Sequence, residues 1–337
     1  MNTQPVISQT KRPTKIISIL AACTVFGLSL FAQAASAQQY PTKPVRILTP
    51  FAAGSGPDSI LRVAGEKLTR MWGQQVIVEN RPGGNGFIGL EAAKKMPADG
   101  YNFVQADEGH MALNPLLYKK LPYDIAKDFD PVGTLFRARF FVVVPANSPW
   151  KDMKDLIAAA KSKPGDVTYG SWSVGSPGHV GAAMLEQAAG IQMTHVPYKA
   201  QSDLYVSVGN GDINWAFGSA GSAGPMLRAG KVKFLALVAS QRSPAYPDVP
   251  TMKEAGGPDF ELGGFMAILA PKGTPQAIID KVNADLKQVM SEPDVRERLT
   301  AFGYEPVSLS PAEVTKEREK DLARYGEIVQ RAKISID

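Results

Sequence analysis

Two short segments rich in glycine and serine carry the residues best suited to hold an anion. The first is Phe51-Ala52-Ala53-Gly54-Ser55-Gly56-Pro57-Asp58, between a strand-like run and a helical pattern. Gly54 and Gly56 let the backbone turn and come close to a ligand. The helix start behind them offers unpaired N–H groups and positive potential, which suit a carboxylate or phosphate. Asp58 is expected to be the N-cap, with its carboxylate turned away from a bound anion. The same segment reads equally well as a tight capped turn with no ligand. The second is Tyr169-Gly170-Ser171-Trp172-Ser173-Val174-Gly175-Ser176-Pro177-Gly178-His179. Here Ser176 is expected as N-cap and Pro177 as the first helical residue. Ser171, Ser173 and nearby amides offer donors, and Trp172 offers an apolar wall. The repetition of one plan favours ligand binding: if two halves of the molecule face each other, two helix starts converge on one cleft.

Other motifs point to less. Gly84-Asn85-Gly86-Phe87-Ile88-Gly89 fits G-x-G-x-x-G after a strand, with Asp107 further on. It is read as a glycine turn that allows close helix–sheet packing rather than as a dinucleotide site. His110 follows a strand in Asp107-Glu108-Gly109-His110 and is placed at the cleft. His195 begins a strand and is read as structural. None of the three histidines sits in a zinc-binding pattern, so no metal and no cofactor are expected. A nucleophile elbow is missing around Ser171, Ser173, Ser176 and Ser219. A secreted serine hydrolase that pairs Ser171, Ser173 or Ser176 with His179 or His110 remains the rival reading, and a receptor for a signalling partner is a third.

The elements that must position these turns alternate in type. Strands are expected at 45–51, 75–79, 101–107, 140–145, 167–170, 194–198, 213–218, 233–239 and 260–270. Helices are expected at 58–72, 86–96, 152–161, 177–189, 202–208, 223–229, 275–290, 293–302 and 311–332. Pro115, Pro122 and Pro131 are expected to break the stretch between 107 and 140 into loops. Two β-α-β series imply two doubly wound α/β lobes with parallel strands, and ligands in such sheets bind beyond the carboxyl ends of strands.

The first 37 residues read as an export signal. Lys11, Arg12 and Lys15 precede an apolar run from Ile16 to about Ala32, and Ala35-Ser36-Ala37 has cleavage-site spacing, so the mature chain is expected to start at Gln38. An uncleaved anchor, or lipoprotein processing at Cys23, is the lesser alternative. The 337 residues carry 37 Lys and Arg against 32 Asp and Glu. Cleavage leaves 34 basic residues and a net charge of +2, and removes the one cysteine. A chain so nearly neutral lacks the basic stripe that a nucleic acid requires. Export makes NAD- or ATP-driven chemistry a poor fit and leaves nutrient capture, hydrolysis and envelope assembly.

Several runs then resemble one family in collinear order. They are Tyr40-Pro41-Thr42-Lys43-Pro44-Val45-Arg46-Ile47, Glu79-Asn80-Arg81-Pro82-Gly83, Pro97-Ala98-Asp99-Gly100-Tyr101 and Asn114-Pro115-Leu116-Leu117-Tyr118. Leu121-Pro122-Tyr123-Asp124, His195-Val196-Pro197-Tyr198-Lys199, Pro247-Asp248-Val249-Pro250-Thr251 and Ala270-Pro271-Lys272-Gly273-Thr274-Pro275 continue the series. The mature chain is similar throughout to the Bug proteins, extracytoplasmic solute receptors of the tripartite tricarboxylate transporter type. The resemblance implies a type II periplasmic binding protein (Venus flytrap) fold, with residues 38–139 and 262–337 in one lobe and 140–261 in the other. It implies a monomer in the periplasm, without enzymatic activity, that closes over a small organic acid and delivers it to a membrane permease. It places the ligand between Ala52–Asp58 and Ser171–Ser176, and the residues expected to line the cleft are Phe51, Ala53, Gly54, Ser55, Gly56, Asp107 and His110 on one side. Ser171, Trp172, Ser173, Val174, Gly175, Ser176, Lys199, Ala200, Ser219 and Phe265 complete the set. Ala200 stands where the family usually has glycine. Trp172 is bulkier than expected: either it and Phe265 favour an aromatic or larger apolar acid, or Trp172 simply faces solvent or the opposite lobe.

Overall fold

The computed structural model describes residues 1–2 and 40–331. The export signal, the cleavage site before Gln38 and Cys23 lie outside the described residues. The unit that begins at Lys43 holds two β-sheets with helices packed on them.

The first sheet starts with β1 (Val45–Thr49), α1 (Gly56–Trp72), β2 (Val76–Asn80), α2 (Phe87–Lys94) and β3 (Asn102–Ala106), with β1 parallel to both β2 and β3. Of the apolar residues that recur at helical spacing after Asp58, Ile60, Leu61, Ala64 and Leu68 are at most 1% exposed and form the buried face of α1, whereas Trp72 is half-buried and Met71 is exposed. Burying a side chain of this size contributes about 1.5–3 kcal/mol. Gly73 ends α1 in a left-handed conformation, its N–H donating to the Thr69 carbonyl.

Between β3 and the next strand lie a π turn at Gly109–Leu113 and short helices at Asn114–Leu117 and Ile125–Asp128. Residues 129–138, expected as loop because of Pro131, instead form the ten-residue strand β4 (Phe129–Ala138). The proline is tolerated for two local reasons. The outer neighbour of β4 pairs only with Arg137 and Ala138, so at Pro131 the strand is an edge. Its pairing with the inner neighbour also shifts register beside Pro131.

Two residues later the chain enters the second sheet. β5 (Phe141–Pro145), α3 (Met153–Ser162), β6 (Thr168–Ser171), α4 (Pro177–Ala189) and β7 (Thr194–Pro197) come first. α5 (Gln201–Asn210), β8 (Trp215–Gly218), α6 (Ala220–Arg228) and β9 (Val232–Leu237) follow. The order is β7-β6-β8-β5-β9, with β7, β6 and β8 parallel and β5 antiparallel to both neighbours. The chain returns to the first sheet as β10 (Phe265–Pro271), antiparallel to β3 and β4. α7 (Gln276–Met290), α8 (Pro293–Ala301), β11 (Tyr304–Glu305) and α9 (Pro311–Arg331) complete it. This is the two-lobed, Venus-flytrap-type α/β fold. The passages between sheets lie side by side: Ala138 N–H donates to Gly264 O at 2.8 Å, and Val238 N–H to Phe140 O at 2.9 Å.

The core beneath the second sheet does not stop at the lobe. Val142, Val180, Leu185, Trp215 and Phe217 form one buried cluster with Leu113, Leu117, Tyr325 and Val329. The π-turn region and the last helix therefore bridge to the second lobe. No described helix is long and apolar enough to cross a membrane.

Candidate functional site

In the first turn, α1 starts two residues earlier than expected. Ser55 is the N-cap residue, without a side-chain cap bond, and Asp58 lies inside the first turn of the helix. The Asp58 side chain, 1% exposed, folds back to accept from Gly54 N–H at 2.8 Å, Arg62 Nε at 3.0 Å and Asn80 Nδ2 at 2.8 Å. Burial alone would raise its carboxyl. The hydrogen bonds from Arg62, Asn80 and Gly54 outweigh that and hold it below the usual carboxylate range. Asp58 thus anchors the turn and spends its charge internally. Ala53 and Gly54 stay exposed, while the Ser55 hydroxyl is buried with no hydrogen-bond partner.

In the second turn the sequence reading of the cap is met: Ser176 accepts from His179 N–H, Pro177 opens α4, and Gly190 closes it. The serines interlock. Ser171 Oγ and Ser176 Oγ both donate to the Ser173 carbonyl at 2.8 Å. Ser171 Oγ also lies 2.7 Å from His195 Nε2. Because the serine proton goes to Ser173, the network assigns a neutral His195 that donates from Nε2. Gly175 N–H donates to His179 Nδ1 at 3.0 Å. The two imidazoles stack at 4.1 Å, with Tyr169 against His195 at 5.0 Å. Burial holds His179 below the usual imidazole range. Burial and the neighbouring His179 push His195 down to about 4. His195 is therefore the histidine that meets Ser171, not His179 or His110. Ser171 is 0% exposed, so its oxygen is not presented to a substrate as a nucleophile would be. Trp172 is no free wall either. It tilts against Phe140 at 5.5 Å and lies over Gly178, 2.7 Å from where a Cβ would stand.

Segments of the first lobe reach both turns. Phe51 meets His110 edge-on at 5.4 Å, and the His110 ring rests on Gly86, where any Cβ would collide with it. His110 Nδ1 lies 2.6 Å from Asp107 Oδ1. Burial would raise the Asp107 carboxyl, but the charge and hydrogen bonds of His110 outweigh it and leave it low. A Cβ on Gly109 would stand 3.6 Å from Pro177, the first residue of α4, so the Asp107–His110 segment bridges the two turns. Asn85, with φ 50°, spans the lobes directly: its Nδ2 donates to Val174 O at 3.1 Å, and Ser173 Oγ donates to its Oδ1 at 2.7 Å. A third helix start joins from the second lobe. Ser219 caps α6 in a capping box with Ser222 and bonds the Tyr304 side chain, whose hydroxyl lies so close to Gly56 that a methyl there would collide.

Four candidates sit elsewhere or differently. Phe265 is 1% exposed inside the first-lobe core and lines no cleft. Lys199 is exposed beyond β7, the edge strand of the second sheet. Ala200 precedes α5 with φ −128°, an ordinary extended backbone that does not require glycine. Gly175 gives its N–H to His179. The glycine-turn reading of residues 84–89 is met at Gly89, where a Cβ would crowd the Arg81 carbonyl at 3.1 Å and Pro50 at 3.3 Å.

Sequence reasoning passed over two residues. Asn85 was hidden in the glycine motif, although a non-glycine residue between two glycines is itself a signal of left-handed backbone. Glu108 is 3% exposed, packs on Gly264 and has one oxygen without a partner. Burial, with Asp107 and Asp321 nearby, pushes its carboxyl well above the ordinary range. Among the described residues no three His, Cys, Asp or Glu gather to hold a metal.

The chain is similar to known proteins along most of its length. The family model described as Tripartite tricarboxylate transporter family receptor matches residues 60–334. BugT of Bordetella pertussis is 29% identical over 296 residues, which is 88% of this chain and 91% of BugT. An R. palustris protein solved with adipate superposes with TM-score 0.82 at 30% identity, covering 87% of this chain and 98% of that one. MatC from Rhodopseudomonas palustris with bound malate gives TM-score 0.77 at 27% identity, covering 86% and 100%. With the family model matched over residues 60–334 and BugT among the relatives, the chain belongs to the tripartite tricarboxylate transporter receptor family.

Proposed function

We propose that this protein is a periplasmic receptor that captures a small organic acid between its lobes, without catalysis, and passes it to a membrane permease. The observation that carries the reading is the meeting of three helix starts. The turn before α1, the turn before α4 and the Ser219 cap of α6 come together through Tyr304, the Asp107–His110 segment and Asn85. Each start directs partial positive charge toward the same space. The carboxylates around that space are already engaged: Asp58 by Arg62, and Asp107 by the imidazole and backbone N–H of His110. The grip is therefore built from amides and hydroxyls. Charge-assisted hydrogen bonds of this kind contribute roughly 1.5–3 kcal/mol each. A few of them, less the cost of ordering, reach the roughly −8 kcal/mol of micromolar binding.

Adipate and malate on the two similar structures make a dicarboxylate the first class to test. A thermal-shift screen of mono- and dicarboxylic acids, followed by calorimetry, tests the reading. Stabilisation by one such acid without ester or amide turnover is expected. Turnover that vanishes in Ser171→Ala would favour a hydrolase instead.

A further inference from the structure

The Asn85 side chain uses every hydrogen-bonding group it has. One amide hydrogen goes to Val174 O across the cleft and the other to Tyr118 Oη at 2.6 Å, while its oxygen accepts from Ser173 Oγ. The orientation is fixed chemically, because the Val174 carbonyl can only accept. Its backbone carbonyl is held by Asn114 Nδ2 at 2.9 Å; Asn114 is 3% exposed and also donates to Tyr123 Oη. Tyr118 is packed edge-on against Phe87 at 4.7 Å. The first lobe thus presents one rigid amide outward, on a left-handed residue, to the backbone and hydroxyl of the opposite turn. The Ser173 it reads is the same residue whose carbonyl gathers Ser171 and Ser176.

We propose that Asn85 is the closure latch: a positioning residue that does not touch the ligand, ties the second turn to the first lobe and sets how long the cleft stays shut. This rests on the reading of the cleft as a site that closes over a small acid. Opening must break both cross-lobe bonds, whereas entry of ligand into an open cleft meets neither. The latch therefore slows release, and slows association only as far as the free protein is already shut.

The test compares wild type, Asn85→Gly, Ser173→Ala and the double variant, with adipate as probe. Glycine keeps the left-handed backbone and deletes only the amide. Stopped-flow displacement should show adipate leaving Asn85→Gly about tenfold faster, with association no slower and the unfolding midpoint nearly retained. Ser173→Ala added to Asn85→Gly should accelerate release no further. Asn85→Asp keeps the acceptor for Ser173 and loses the donor for Val174, so it should fall between. Small-angle scattering of the ligand-free proteins should give a larger radius of gyration for Asn85→Gly than for wild type. Unchanged release, or a full independent effect of Ser173→Ala in the double variant, overturns the latch. If wild type takes up no adipate, the choice of acid fails, and equal radii for wild type and Asn85→Gly overturn the latch on their own.

Discussion

The two glycine- and serine-rich turns do the same local task by different chemistry. The turn at 52–58 hangs on one buried ion, Asp58, which ties Gly54, Arg62 and Asn80 together. The turn at 171–176 has no ion. Serine hydroxyls converge on one carbonyl, backed by a stacked pair of neutral histidines and by Trp172. An ion concentrates the stabilisation in one side chain; a neutral network spreads it over several. An anionic ligand suits both, because the negative charge of Asp58 is balanced by Arg62 before it can face the cleft.

Substitutions should separate the two designs, beginning with the largest effect. Asp58→Ala removes three charge-assisted bonds at once and should lower stability by about 2–3 kcal/mol in chemical unfolding. A loss below about 1 kcal/mol would mean that the turn holds itself. Trp172→Ala strips the cover from Gly178 and the contact with Phe140, with an expected cost of about 2 kcal/mol, since the ring is only partly buried. Ser171→Ala should cost about 1 kcal/mol, because Ser176 still reaches the shared carbonyl.

Acid should part the turns as well. The folded pKa of Asp58 lies below its unfolded value. Its contribution is complete above that unfolded value, about 4, and disappears only as pH falls further. His195 falls from about 6.5 unfolded to about 4 folded, so the unfolded chain binds the extra proton in that window. Stability contributed by the second turn is intact above about 6.5 and is lost as pH drops toward 4. Amide exchange should therefore rise in 171–176 before it rises in 52–58. His195→Gln, which retains a donor for Ser171, should flatten that slope. The smallest effect is expected at Ala200→Gly, whose extended backbone gains nothing from glycine beyond a few tenths of a kcal/mol lost.

Features whose causes are local in sequence were legible. Ser176, Pro177 and Gly190 bracket α4 as read, and the apolar spacing from Ile60 to Leu68 is the buried face of α1. What escaped depends on partners far along the chain. β4 looked broken at Pro131 because its edge position is set by β11, more than 160 residues on. His195 is structural as read, but its partners were not legible: parallel pairing of β6 with β7 sets it beside Tyr169 and within reach of Ser171. Phe265 looked like a cleft residue because β10 is apolar throughout, and that composition belongs to a strand buried on both faces. Asp58 was placed one function away: the residue type was right for a helix start, but the helix began at Gly56.

The most direct test is a crystal structure with the acid that gives the largest thermal shift. A carboxylate within hydrogen-bonding distance of amides or hydroxyls from both 52–58 and 171–178 is the predicted result. An acid held by one lobe alone, or bound outside the space bounded by Asn85, His110 and Tyr304, would contradict the account.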